Sequence, residues 1–204
     1  MNVIFEIFVN SMYLLALINP ISKICILSVF SSDMESEREF AQIVIKSTSI
    51  ALIILAMVML FGEFLFYSFL RIELYSLKVA GGCILFGVGY KALSKGVFFE
   101  RGTQNRLSEI SIVPLASPMI AGPATIAAAL PMAVSKGFAM SFAAVAIALL
   151  TNMIFMLLAK PIGSILVRFN IMGALIRITG LIVLTIGVQM IFSGIAKWLL
   201  SIKI

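Results

Sequence analysis

Long apolar runs separated by short polar links set the rhythm of the chain. Six runs stand out, near Val3–Phe30, Ile43–Phe69, Leu74–Leu93, Ile110–Val134, Phe138–Ala159 and Ile171–Leu200. Each approaches or exceeds the roughly 20 residues that an α-helix needs to cross a hydrocarbon layer about 30 Å thick. No run shows the strict alternation of a half-buried strand, so the pattern predicts helices throughout. The links are polar: "SSDMESEREF" follows the first run, and "SKGVFFERGTQNRLSE" follows the third and marks the midpoint. The expected division is therefore residues 1–95, a connecting loop at 96–109, and residues 110–204. No segment outside the spans is long enough to form a separate domain.

Two of the six runs are interrupted where a spanning helix should be continuous. The run Ile110–Ser135 carries no charge, yet it contains Pro114, Pro118, Pro123 and Pro131, with Gly122 beside the third. The first run contains Asn19-Pro20. Proline removes a backbone donor and clashes with the preceding turn, so each site predicts a break. Asn is a good N-cap and Pro suits the first helical position, where its N–H would be unpaired anyway. Asn19-Pro20 and Gly122-Pro123 therefore read as the starts of new half-helices inside spans one and four.

Composition settles the class. Of 204 residues, 62% are hydrophobic and only 12% charged, with a mean hydropathy of +1.16. Soluble domains carry about 25% charged residues, so this chain cannot cover itself with a solvated surface. An integral, multi-pass protein of the cell membrane is expected. The net charge of +6 then orients the chain in its bilayer and is no nucleic-acid signature. Nine Lys and Arg (Arg38, Lys46, Lys91, Lys95, Arg101, Arg106, Lys160, Arg168 and Arg177) fall in or near the links after spans one, three and five. Arg71, Lys78, Lys136, Lys197 and Lys203 fall on the other side. The positive-inside bias places the first set in the cytoplasm and both termini outside. The first run lacks a positive leader and reads as a retained span, not a cleaved signal.

The breaks belong to a repeat. "LINPIS" (Leu17–Ser22) resembles "IAGPAT" (Ile120–Thr125), aligning Pro20 with Pro123. "LKVAGG" (Leu77–Gly82) resembles "IRITGL" (Ile176–Leu181), aligning Lys78 with Arg177 and Gly81 with Gly180. "FGE" (Phe61–Glu63) loosely mirrors "IGS" (Ile162–Ser164). The offsets, 103, 99 and 101 residues, drift little. Because each half holds three spans, the halves must be inverted. The expected fold is an all-α membrane protein, six transmembrane helices as two inverted three-helix repeats, with helices 1 and 4 interrupted.

In that fold the two half-helix starts approach the membrane middle from opposite sides. Free N–H groups and the positive ends of helix dipoles would form a small polar pocket suited to a carboxylate or dipolar solute. The candidate binding residues are Asn19, Pro20, Ile21 and Ser22 in one break and Ala121, Gly122, Pro123, Ala124 and Thr125 in the other. The small residues of the second break argue for a small solute. Lys23, one turn past the first break, either snorkels or pairs with a substrate carboxylate or a gate. Glu63 either carries a coupling proton or sits in an interfacial belt among the aromatics of "MLFGEFLFYSFLR". Gln189 either lines the pocket or bonds another helix. Gly81, Gly82, Gly87 and Gly89 suggest a smooth face for close packing in span three, and Cys25 and Cys83 read as small buried apolar residues.

With "LINPIS", "KVAGGCILFGVGYKAL" (Lys78–Leu93), "PLASPMIAGPATI" (Pro114–Ile126) and "RITGLIVLTIGVQMIFSGI" (Arg177–Ile195) in hand, the chain resembles the MarC family of inner-membrane proteins over nearly its whole length. That family includes the SnatA-type transporters. The resemblance implies the inverted-repeat fold, a site on the broken first and fourth helices, and transport of small neutral amino acids such as glycine and alanine. The chain departs from the family pattern at Ser22 and Ala124, where Gly is frequent, at "KICIL", where a Pro is usual, and at Lys78, where Arg is usual. A bulkier site would shift the substrate.

Other function classes fit less well. Half-helix starts with Asn-Pro also build filters in passive channels for small neutral solutes, but only one of these breaks has the Asn side chain. A non-transporting scaffold has little use for matched breaks. An enzyme is not expected: the chain has no His and only nine acidic residues, most of them in links. No cofactor or metal is expected. The partners are a small amino-acid substrate and the lipid bilayer, and the pattern does not choose between H+ and Na+ as coupling ion.

Overall fold

A computed structural model describes residues 3–30, 36–97 and 120–202. Its elements are helical: α1 (Val3–Ile18), α2 (Pro20–Phe30), α3 (Glu37–Glu63), α4 (Leu74–Lys95), α5 (Pro123–Lys136), α6 (Phe138–Leu157), α7 (Ala159–Arg168) and α8 (Met172–Ile202). Among the described residues there is no strand. Five helical segments are long and apolar enough to cross a membrane: Val3–Cys25, Glu37–Phe69, Leu74–Lys95, Phe138–Leu157 and Met172–Ile202. They match five of the six expected runs. The remaining run, Ile110–Val134, is described only from Ile120, so Pro114 and Pro118 lie outside the described residues, as does most of the expected 96–109 loop.

Local chemistry explains the boundaries. Ser36 caps α3 by accepting from the Arg38 N–H at 3.2 Å, and Glu37 and Glu39 in the first turn complement the helix dipole. The far end of α3 passes into a π-helical turn, Phe64–Phe69, none of whose side chains is buried. α4 stops at Gly96, whose φ of 67° lets its N–H close back on the Ala92 carbonyl at 3.0 Å. Span five is two helices, bent at Leu158, with Pro161 tolerated in the first turn of α7.

The most intimate pairing joins α4 to α8. Tyr75, Gly82 and Gly89 recur every seven residues on α4 and face Gly194, Gly187 and Gly180, equally spaced, on α8. The partner numbers fall as α4 runs forward, so the helices are antiparallel. A Cβ on Gly82 would lie 2.7 Å from the Gly187 carbonyl oxygen, and one on Gly89 would lie 2.5 Å from the Leu184 nitrogen. Only glycine permits this approach, which replaces hydrophobic driving force with van der Waals contact between backbones. The smooth face expected on span three divides: Gly82 and Gly89 meet α8, Gly81 meets Ala127 of α5, and Gly87 faces open space. Cys25 is half-buried and Cys83 exposed, so the expectation of burial fails for Cys83, which points off the same open side of α4.

A second close contact occurs twice with the halves exchanged. Gly62 of α3 packs on Leu130 of α5, and Gly163 of α7 packs on Ser28 of α2. Gly62 and Gly163 are the pair aligned by "FGE" and "IGS", while Ser28 and Leu130 are separated by 102 residues, within the drift of the repeat offsets.

Candidate solute site at two helix breaks

The first break is real and tightly organised. Asn19 separates α1 from α2 with φ 55°, a left-handed conformation that Asn tolerates better than most residues. Its N–H still closes on the Leu15 carbonyl at 2.9 Å, so α1 finishes normally. Its side-chain oxygen accepts from the Ser22 N–H at 3.3 Å, the expected cap, though a long one. The Ser22 hydroxyl donates to the Asn19 carbonyl at 2.7 Å. Lys23 does not snorkel: it is only 4% exposed, and its ammonium donates to the Ile18 carbonyl at the broken end of α1.

The second break is built differently. Gly122 precedes Pro123 in extended backbone, φ −75° and ψ 170°, and no side chain caps the start of α5. Ala121 and Gly122 lie outside helical backbone. The Thr125 hydroxyl, 3% exposed as a residue, donates to the Ile120 carbonyl at 3.0 Å. Among the described residues, no side chain caps the Ala124 and Thr125 N–H groups at the second and third helical positions.

The two breaks meet around one cavity of about 80 Å³. Asn19, Ser22 and Lys23 line it from the first break, and Gly122, Pro123, Ala124 and Thr125 from the second. Ile84, Leu85 and Val88 of α4 and Val183 of α8 form an aliphatic wall. Leu85 lies half-way along α4, which places the cavity near the middle of the span. The volume is far below the roughly 300–1,000 Å³ of pockets for drug-sized ligands, and well above the space one water needs.

Some expected residues lie elsewhere. Pro20 and Ile21 turn to the other side of the first break and line an apolar groove of about 340 Å³ with Phe155 and Ile182. Ala121 is buried without lining the cavity. Glu63 is exposed beside the aromatic belt and away from the cavity. Gln189 lines a separate vestibule of about 280 Å³ together with Asn10, Tyr13, Lys78, Lys136 and Lys197. The charge count put these three lysines on one side, and they do converge there. Glu6 pairs with Lys136 at 3.2 Å. Vestibule and cavity are neighbours: Ala127 and Met190 line the former, Ala124 lines the latter, and a Cβ on Gly81 would lie 2.5, 3.3 and 3.5 Å from Ala127, Met190 and Ala124.

The aliphatic wall was not singled out from sequence, because wall and lipid-facing residues are equally apolar. The model of the MarC family of integral membrane proteins matches residues 1–199. The chain belongs to the MarC family. Among MarC-type relatives, a UPF0056 membrane protein of Pyrococcus horikoshii is 30% identical, covering 93% of each chain. One of Aquifex aeolicus is 29% identical over 91% of this chain and 90% of its own. The UPF0056 membrane protein YvbG of Bacillus subtilis is 29% identical over 89% and 90%. No solved structure matches this MarC chain.

Proposed function

We propose that the chain is a secondary transporter for small carboxylate-bearing solutes of glycine and alanine size, working by alternating access between two inverted three-helix repeats. One observation carries this reading: both helix breaks line one small cavity half-way along α4, with an uncapped helix start and a buried lysine. Irregular backbone at that depth is tolerated where it is buried in protein or lines such a cavity. A carboxylate would lie on the start of α5 with its small substituent against Ala124 and Leu85. The exchanged contacts Gly62–Leu130 and Gly163–Ser28 support the inverted repeat. The layer of Gly81, Ala127 and Met190 would be the closed gate on the vestibule side, and its parting would open one path as the other shuts.

Small neutral amino acids are the class the family resemblance suggests testing first. The experiment is uptake of labelled glycine, alanine and their carboxylate analogues into proteoliposomes, with and without proton and sodium gradients. Saturable uptake with counterflow is expected. Non-saturable flux would indicate a passive pore, and no flux of any solute in folded, inserted protein would remove the carrier reading.

A further inference from the structure

The vestibule gathers positive charge and leaves it unbalanced. Lys78, one turn into α4, Lys136, the last residue of α5, and Lys197, near the end of α8, reach it from three helices. Among the described residues no Asp or Glu lines it. Lys136 is balanced, since its ammonium donates to Glu6 Oε2 at 3.2 Å. Lys78 and Lys197 have no ion-pair partner among the described residues, and they stand close enough for their charges to repel. Much of the remaining lining is apolar, Pro131 and Met132 included. Two like charges against such a lining, near the ends of spanning helices, are costly unless an anion joins them. A second observation points the same way. The side-chain nitrogen of Asn10, on α1, is shielded from solvent and has no hydrogen-bond partner among the described residues, yet Asn10 lines the vestibule. A shielded amide donor left unspent calls for an acceptor.

We propose that the vestibule is a binding site for a phosphate monoester, separate from the mid-span cavity, with Lys78 and Lys197 clamping the phosphate and Asn10 donating to one of its oxygens. Such a group carries about 1.5–2 negative charges at neutral pH and three acceptor oxygens, so it balances both free ammoniums and takes the amide donor as well. A monocarboxylate brings one charge and would leave one ammonium unbalanced. Lysine suits phosphate as a compact point charge that needs no forked geometry. The vestibule's volume of about 280 Å³ lies just below the roughly 300–1,000 Å³ of pockets for drug-sized ligands, which suits a phosphate on a small alcohol. The same group comes free, as in glycerol 3-phosphate, or on a lipid, as in phosphatidic acid. Tyr13 lines the vestibule and the exposed Trp198 follows Lys197, aromatic residues of the kind that sit at headgroup level, so a lipid phosphate is within reach as well as a soluble one. The inference stands on the vestibule and needs neither the helix breaks nor the carrier reading.

The test titrates the purified full-length protein, in a neutral detergent at matched ionic strength, with glycerol 3-phosphate and with short-chain phosphatidic acid. Acetate and short-chain phosphatidylcholine are the controls, and thermal stabilisation reads binding. A phosphate monoester should bind at least about tenfold more tightly than acetate, as expected for added charge-assisted hydrogen bonds. Lys197 is exposed, so Lys197→Gln should leave the unliganded protein's melting temperature unchanged while weakening phosphate binding by about tenfold. Lys197→Arg should retain most of the binding, and Asn10→Leu should weaken it several-fold. Lys46→Gln removes an exposed charge from α3, away from the vestibule, and should leave binding as it was. Stabilisation by glycerol 3-phosphate that Lys197→Gln weakens would support a site open to the soluble ester. The same dependence with phosphatidic acid alone would support a lipid headgroup site. No stabilisation by either ligand, acetate or phosphatidylcholine binding as tightly, or Lys197→Gln weakening binding no more than Lys46→Gln would overturn the proposal.

Discussion

The two breaks solve one problem in opposite ways. At Asn19-Pro20 the protein satisfies itself: the Asn19 side chain caps α2, and the Lys23 ammonium covers the broken end of α1. At Gly122-Pro123 it leaves the helix start bare, since glycine has nothing to cap with, while the Thr125 hydroxyl covers the Ile120 carbonyl. A closed, cationic break thus faces an open, donor-rich one across about 80 Å³. The first fixes the cavity's shape and charge, and the second supplies its free hydrogen-bonding groups. Two identical closed breaks would offer a solute little, and two bare ones would leave more backbone unsatisfied at mid-span.

The largest effect should come from filling the open break. Gly122 has a φ of −75°, which any residue adopts, so Gly122→Leu adds volume without backbone strain. Overpacking so small a cavity should reduce uptake by about tenfold or more while the protein still inserts. Uptake at the wild-type rate, with surface expression checked, would remove Gly122 from the site.

The closed break should respond in stability first. Asn19→Ala loses a long hydrogen bond and forces alanine into a left-handed conformation, together costing about 1–2 kcal/mol. Asn19→Gly loses the same bond but accepts φ 55°, so it should stay within a few tenths of a kcal/mol of wild type. Thermal inactivation in detergent ranks the two. Equal loss in both would show that the cap, and not the backbone conformation, holds the break.

How far this contrast was legible follows from which residues make it. Pro20, Pro123 and Gly122 announced both interruptions, because proline and glycine act on the backbone wherever they stand. The repeat alignment also paired Gly62 with Gly163, which turn out to make exchanged contacts. The direction of long side chains was not legible. Lys23 could reach either an interface or the Ile18 carbonyl, and only the fold decides between them. The aliphatic wall at Ile84, Leu85 and Val88 escaped for a related reason, and Gln189, named as a possible pocket residue, lines the vestibule instead: on a span apolar all round, periodicity does not mark the face that meets a cavity. Nor was it legible which break residues face the cavity: Ala121 is buried beside it, and Pro20 and Ile21 line the apolar groove.

A smaller effect, and a sharper one, comes from giving the second break the cap of the first. Gly122→Asn would let a side-chain oxygen accept from Thr125 N–H, as Asn19 does from Ser22. Caps stabilise by about 0.5–2 kcal/mol relative to alanine but only by a few tenths relative to glycine, so stability should rise slightly. Carboxylate binding should weaken several-fold, because the new acceptor occupies a donor that the solute needs and adds bulk to the cavity. A variant that is both more stable and unimpaired in binding would mean that the bare start of α5 is not where the carboxylate lies.

The smallest expected difference separates the two hydroxyls. Ser22→Ala leaves the Asn19 carbonyl with its second donor, the Ser22 N–H at 3.2 Å. Thr125→Val keeps the shape of threonine but removes the one donor recorded at the Ile120 carbonyl. An unmade hydrogen bond to a buried carbonyl costs about 1–3 kcal/mol, whereas loss of one of two costs less. Thr125→Val should therefore lower the inactivation temperature more than Ser22→Ala. Equal losses in the two variants would show that the Ile120 carbonyl finds another donor when the hydroxyl is gone.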